Sequence, residues 1–218
     1  IILISAVLTL SAQKNITITD ARDGEVYRVV KIGNQWWMAE NLRATTFLDS
    51  TPIPDGTKVG NLSGNFTARY YFNYLDKESN AEKYGRLYTY DVVVHKSRFQ
   101  GICPEGTYLP GDGDWKELEI FLGMSKEEAD KKEWRGNGQA EKLLDGGSSG
   151  FDALLSGYFS RTGHFYAENT GSYFRTGTAK DNKSAWIRII EKGKPGIKRI
   201  APGKEYGYSV RCIVDDLK

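Results

Sequence analysis

Polar and apolar positions alternate over residues 15–19 with the period of a half-buried strand. Asp20-Ala21-Arg22-Asp23-Gly24 breaks the run, and its Asp-Gly pair supplies the positive φ of a tight hairpin. Strand character returns over residues 26–32, turns at Gly33-Asn34 and runs on through residues 35–42. The pattern predicts an N-terminal β-meander ending in an aromatic-rich strand. Over residues 46–67 Pro, Gly, Asn and Asp displace the alternation, so a long irregular excursion across the surface is expected. Residues 68–75 and 84–90 are aromatic and read as extended pieces packed on the core. Residues 91–95 are open to either a helix or a continued extension.

The clearest helix follows Pro110. Trp115, Leu118, Phe121 and Leu122 fall on one helical face, Asp112 or Asp114 caps its start, and Gly123 ends it. Ser125-Lys126-Glu127-Glu128 is a capping box for a second short helix, and residues 139–144 add a further turn. From Phe151 onward strands are expected at residues 151–158, 163–166, 171–176, 184–190 and 207–214. The basic run at residues 192–199 reads as a solvated hairpin tip. No linker divides the chain and no internal repeat appears, so residues 13–218 are expected to form a single α+β domain.

Composition narrows the function classes. A length of 218 residues suits one large mixed or all-β domain. A net charge of +2, with no basic stripe interleaved with aromatics, sets nucleic acid aside. The 13 Tyr, 5 Trp and 24 Gly suit short strands, many turns and a surface able to bind. Residues 1–10 are apolar but too short to span a bilayer, and Ser11-Ala12-Gln13 follow. That is how a secretory signal peptide ends, so residues 1–12 are expected to be its remnant, leaving Gln13 as the mature N-terminus. The alternative is a buried first strand. Export permits a disulfide. Cys103 and Cys212, the only two cysteines, are expected to pair, with two buried free thiols as the alternative.

At this point ordered runs carry a resemblance. Val29-Val30-Lys31-Ile32-Gly33-Asn34-Gln35-Trp36-Trp37-Met38-Ala39-Glu40-Asn41-Leu42 resembles the opening signature of the Fibrobacter succinogenes major paralogous domain. Tyr84-Gly85-Arg86-Leu87-Tyr88, Gly101-Ile102-Cys103-Pro104-Glu105-Gly106 and Asp114-Trp115-Lys116-Glu117-Leu118 resemble its middle. Gly150-Phe151-Asp152-Ala153-Leu154, Ala185-Trp186-Ile187-Arg188 and Gly207-Tyr208-Ser209-Val210-Arg211-Cys212 complete the series. The resemblance implies an exported bacterial cell-surface domain with a C-type-lectin-like, formylglycine-generating-enzyme-like fold. In that fold short helices and long irregular loops surround a twisted antiparallel sheet that joins the two termini. It implies no assigned reaction. The chain departs from the family pattern at Thr107-Tyr108, where tryptophan-histidine is usual. It departs again at Tyr173-Phe174-Arg175-Thr176, where two tryptophans and small hydroxyl residues are usual.

The candidate chemistry favours binding over catalysis. A Cys nucleophile needs a base and an orienting partner, and His95 and His164 are the only histidines. His95 reads as packing or surface, and His164 as surface. No nucleophile elbow, phosphate loop or paired-His metal motif is present. Asp112-Gly113-Asp114 reads as a helix cap, with a structural calcium ion as the alternative, and no other cofactor is expected. Trp186 and Phe174 read as core. Tyr166, Tyr173, Arg175 and Arg188 are expected to line one exposed patch that takes a glycan or protein ligand. The rival readings are an enzyme on the formylglycine-generating scaffold and a structural surface or fibre component.

Overall fold

The computed structural model describes residues 16–96 and 100–215; the expected signal-peptide remnant at residues 1–12 lies outside them. In chain order the first strands are β1 (Ile16–Thr19), β2 (Val26–Ile32), β3 (Gln35–Met38), β4 (Tyr71–Phe72) and β5 (Leu87–Tyr88). Next come β6 (Thr107–Tyr108), β7 (Glu133–Arg135), β8 (Ser156–Phe159), β9 (Phe165–Glu168) and β10 (Gly171–Ala179). The last are β11 (Ala185–Glu191), β12 (Ile197–Ile200), β13 (Tyr208–Ser209) and β14 (Ile213–Val214). The helices are α1 (Glu78–Tyr84), α2 (Tyr90–Val93), α3 (Asp112–Phe121), α4 (Lys126–Asp130) and α5 (Gln139–Leu143), with a 3-10 turn at Tyr74–Asp76. The architecture is α+β, mostly sheet with few short helices.

The meander forms as the alternation predicts. Ile16 pairs with Val29 and Val30 with Trp37, and the meander buries both faces, Tyr27 and Met38 in one core and Ile32 and Trp37 in another. The chain's last strand joins this sheet, whose order is β1-β2-β3-β14-β6. The beginning and end of the described chain therefore share one sheet. The second sheet runs β4-β5-β13-β10-β11-β12-β7, with β8 on β10 and β9 on β8. It is mixed: β10 pairs parallel with β13 and with β8, where a twisted antiparallel sheet was expected.

The cysteines are bonded, Cα to Cα 5.9 Å. Cys212 sits where the chain leaves β13 of the second sheet and enters β14 of the first, so the bridge pins the crossing. Both cysteines are buried in a core with Tyr27, Met38, Leu42, Tyr88 and Val93. A second core under α3 gathers Trp37, Trp115, Leu118, Phe151 and Phe174. Trp37 and Trp115 lie 5.0 Å apart there, within the range of favourable ring pairs.

Several local expectations are met and several are corrected. Ser125 caps α4, its Oγ accepting from the Glu128 amide at 3.1 Å. At α3 Gly111 is the N-cap residue, and Asp114 reaches back to its amide at 2.7 Å. Leu118 and Leu122 are buried as expected, but Phe121 is 62% exposed. It lies over Gly33, where an added Cβ would meet its ring at 2.9 Å. The basic run is only partly a hairpin tip. Its last three residues, Ile197, Lys198 and Arg199, belong to β12, which is hydrogen-bonded to β11 and β7, and Arg199 is buried. Helix α1 fills the gap between two pieces expected to be extended. Residues 46–67 run irregularly, as expected, held by isolated bridges such as Thr46 with Pro52. Among the described residues no helix is long and apolar enough to cross a membrane.

Candidate functional site

Strand β10 sorts its side chains by alternation. Phe174 faces α3 and the second core. Directly opposite residues in an antiparallel pair share a face, and Arg188 stands opposite Phe174. Arg188 therefore points toward α3, away from Tyr173, and is fully buried. Its Nε donates to Glu119 at 2.6 Å and its Nη1 to Asp112 at 2.8 Å. Arg199 donates twice to Asp112, at 2.9 and 2.7 Å, and Arg135 donates to Glu119 at 2.6 Å. The expectation that Arg188 lines an exposed patch is corrected: it is the centre of a buried ionic network. The same network corrects the reading of Asp112. Its carboxylate is neither a cap nor a free cation ligand, because arginines occupy both oxygens. Trp186 is only partly buried, with the Arg199 guanidinium 3.7 Å above its ring.

The opposite face of the second sheet carries Tyr173 and Arg175. Ile189 and Ile187, their cross-strand partners, lie beneath with Tyr208 as a small apolar floor. Tyr158 sits 4.6 Å from Tyr173 and 5.8 Å from Tyr166, its partner across β8 and β9. Tyr206 and Tyr208 are stacked at 5.8 Å and 1°. Tyr166 is 47% exposed, while Tyr158, Tyr173 and Tyr206 are half-buried. Burial and the Glu191 carboxylate, which accepts from the Tyr173 hydroxyl at 3.3 Å, push the Tyr173 phenol above its ordinary range. The result is a tyrosine face on a rigid sheet.

Arg175 lies under this face, not on it. It is 0% exposed, which corrects its expected place in an exposed patch. Its guanidinium lies 4.5 Å from the Tyr208 ring. Its Nη2 donates to the Tyr206 carbonyl at 2.5 Å, while Nε and Nη1 have no partner. Burial pulls its pKa down to about 10, which still leaves it charged at neutral pH. Of the four residues expected together, Tyr166 and Tyr173 share the face, Arg175 underlies it and Arg188 is elsewhere. Tyr158 and Tyr206 were missed. Tyr158 ends the strand expected at residues 151–158 and was legible from that pattern, whereas Tyr206 lies in a bend before β13 and carried no strand signal.

The cysteines and histidines leave little for thiol chemistry. Cys103 and Cys212 bond each other, so neither is a thiolate. His95 packs on Phe47 at 3.9 Å between ring centroids, and burial with nearby Arg69 and Lys96 lowers its pKa. His164 is exposed. Among the described residues no group of three or more His, Cys, Asp and Glu is placed to hold a metal.

A second arginine hub lies on the segment between β13 and β14. Arg211 is buried, with Nε donating to Asn41 at 2.7 Å, Nη2 to the Asp152 carbonyl at 2.9 Å and Nη1 to the Phe151 carbonyl. Its guanidinium lies 4.2 Å from the Phe151 ring. Asn41 in turn donates to the Tyr84 carbonyl at 2.8 Å. Gly85 follows at φ +75°, and an added Cβ would come within 2.5 Å of Asn41. Only glycine fits there. The model of the Fibrobacter succinogenes major domain family matches residues 30–214.

The chain belongs to this family.

In this Fibrobacter succinogenes major domain, four of the runs that carry the resemblance meet at Arg211: those holding Asn41, Gly85, Phe151-Asp152 and Arg211 itself. They build the frame. The tyrosine face is built on Tyr158, Tyr166, Tyr173 and Tyr206, which lie outside those four runs. No curated protein and no solved structure matches the chain significantly.

Proposed function

We propose that this protein is an exported, non-catalytic binding domain of the bacterial cell surface, with a C-type-lectin-like fold, whose tyrosine face holds an oligosaccharide. The observation that carries the reading is that face. Tyr158, Tyr166, Tyr173 and Tyr206 present ring surfaces from strands and a strand-flanking segment fixed by the sheet. A ring face carries negative potential, and the C–H bonds of a sugar ring carry the complementary sign. Phenol hydroxyls at the ring edges meet the sugar's own. The disulfide suits export, and sharing one sheet between first and last strands suits a lectin-like fold.

Tyrosine rings also anchor protein partners, so a surface protein is the alternative occupant of this face. An array of oligosaccharides and surface proteins probed with the purified domain tests the reading. Tyr166→Ala and Tyr173→Ala should each weaken the retained ligand by about 1–2 kcal/mol. Tyr166→Ala, at the more exposed ring, should leave the melting temperature unchanged. Retention of proteins alone, or full affinity in both variants, would count against it.

A further inference from the structure

Glu205 is 0% exposed, and neither of its carboxylate oxygens has a hydrogen-bond partner. A buried charge left in this state costs several kcal/mol, and a native fold retains it only with a reason. The nearest cation is Arg161, whose Nη1 stands 4.0 Å from Oε1, too far for a hydrogen bond. Gly203 makes room for the carboxylate: a Cβ there would lie 2.2 Å from Oε2. Gly203 bridges to Ser184, whose Oγ is also buried without a partner. Arg175, with two orphan donors of its own, feels the Glu205 charge from the other side.

Ser184, Gly203 and Arg161 line an open cleft of about 510 Å³ together with Phe66, Asp181, Asn182 and Lys183. Asp181 is occupied by its own turn, accepting from the Lys183 and Ser184 amides at 2.8 Å each. Glu205, just behind Gly203 and Arg161 in the cleft wall, and Ser184 are the buried groups there that have no hydrogen-bond partner. The cleft also meets the tyrosine face, because the half-exposed Arg161 lies 5.9 Å from the Tyr206 ring.

The orphan set selects the chemistry of the guest. Two carboxylate acceptors and one hydroxyl, beside the Arg161 guanidinium, call for a group that both donates and accepts. A metal cation would meet the charges of Arg161 and Arg175, and an anion would meet Glu205. A neutral hydroxyl suits both. We propose that this cleft is a hydroxyl-binding subsite, with Glu205 and Ser184 as its recognition groups, for the end of a neutral saccharide that runs off the tyrosine face. The proposal rests on the oligosaccharide reading of that face. A hydroxyl reaching Oε1 takes the place of the long Arg161 contact and supplies the donor the carboxylate lacks.

The test uses an array of neutral and acidic oligosaccharides, then calorimetric titration of the retained one against the wild type, Glu205→Gln, Ser184→Ala and Tyr173→Ala. Glu205→Gln keeps the shape and removes the unpaired charge. We expect its affinity to fall at least tenfold while its melting temperature stays level or rises, and Ser184→Ala to weaken binding in the same direction. A purely structural Glu205 would instead lose melting temperature and keep its affinity. If Tyr173→Ala weakens binding but Glu205→Gln and Ser184→Ala do not, the subsite is refuted and the tyrosine face stands. If the wild type retains no oligosaccharide, both fall. If calcium chloride alone raises the melting temperature of the wild type and not of Glu205→Gln, the cleft is a cation site and the proposal is overturned.

Discussion

Replacing Cys103 and Cys212 together by Ala is expected to lower the folding free energy by about 4 kcal/mol. The bridge spans a sequence separation of 109 residues, so it removes a large loop-closure entropy from the unfolded chain. It also holds the crossing between the sheets, where Cys212 lies between β13 and β14. Both side chains are buried, so the sulfur atoms leave small voids that add to the loss. Urea denaturation of the wild type and the double variant measures the difference. The effect lies mainly in the unfolded state, so saccharide affinity measured below the variant's melting temperature should stay within a few-fold. Coincident urea midpoints would show the bridge to be dispensable. A selective loss of binding in the folded variant would mean that it shapes the site directly.

The elements whose pattern is local were legible in the sequence. The meander over β1 to β3 rests on period-two alternation and an Asp-Gly turn, and α3 and α4 rest on apolar spacing and a Ser cap. None of these needs knowledge of a distant partner. The disulfide was legible because two cysteines admit one pairing. What was not legible depends on partners far along the chain. Arg199 looks like part of a solvated tip until β7 is placed beside β12 and Asp112 is brought to its guanidinium. Arg188 and Arg175, both basic and both in strand patterns, look alike in the sequence. In the structure one meets carboxylates under α3 and the other meets aromatic rings on the opposite face. Residue type sets a prior for burial, but an arginine's place is decided by the carboxylates, carbonyls and rings the fold brings to it. Glu205 carried no signal, since its peculiarity is the absence of partners in three dimensions.

Asp112→Asn and Glu119→Gln are each expected to cost about 3–5 kcal/mol of stability, more than most changes on the tyrosine face. Each carboxylate answers two arginines: Asp112 serves Arg188 and Arg199, and Glu119 serves Arg188 and Arg135. Removing either negative charge leaves guanidinium groups buried against a neutral amide, and their desolvation is no longer offset. The exposed pair of Lys198 with Glu133, at 3.3 Å on the edge of the same sheet, is the internal control. Glu133→Gln should shift stability by less than about 1 kcal/mol, because solvent screens that pair. The network also sets the response to acid. Burial acts to raise the Asp112 pKa, but the hydrogen bonds and charges of Arg199 and Arg188 outweigh it and hold the carboxyl well below its ordinary range. A group whose pKa is lower in the folded state stabilises the fold fully above its unfolded pKa, about 3.9 for Asp, and loses that contribution as pH falls through the folded value. Melting temperature followed from pH 7 downward should thus hold across the neutral range and drop below about pH 4. In Asp112→Asn the curve should start lower and fall less steeply in acid, because the contribution of Asp112 is already gone. Parallel wild-type and variant curves below pH 4 would mean that other carboxylates govern the acid transition. Equal stability at pH 7 would mean that Asp112 does not carry the arginines it faces.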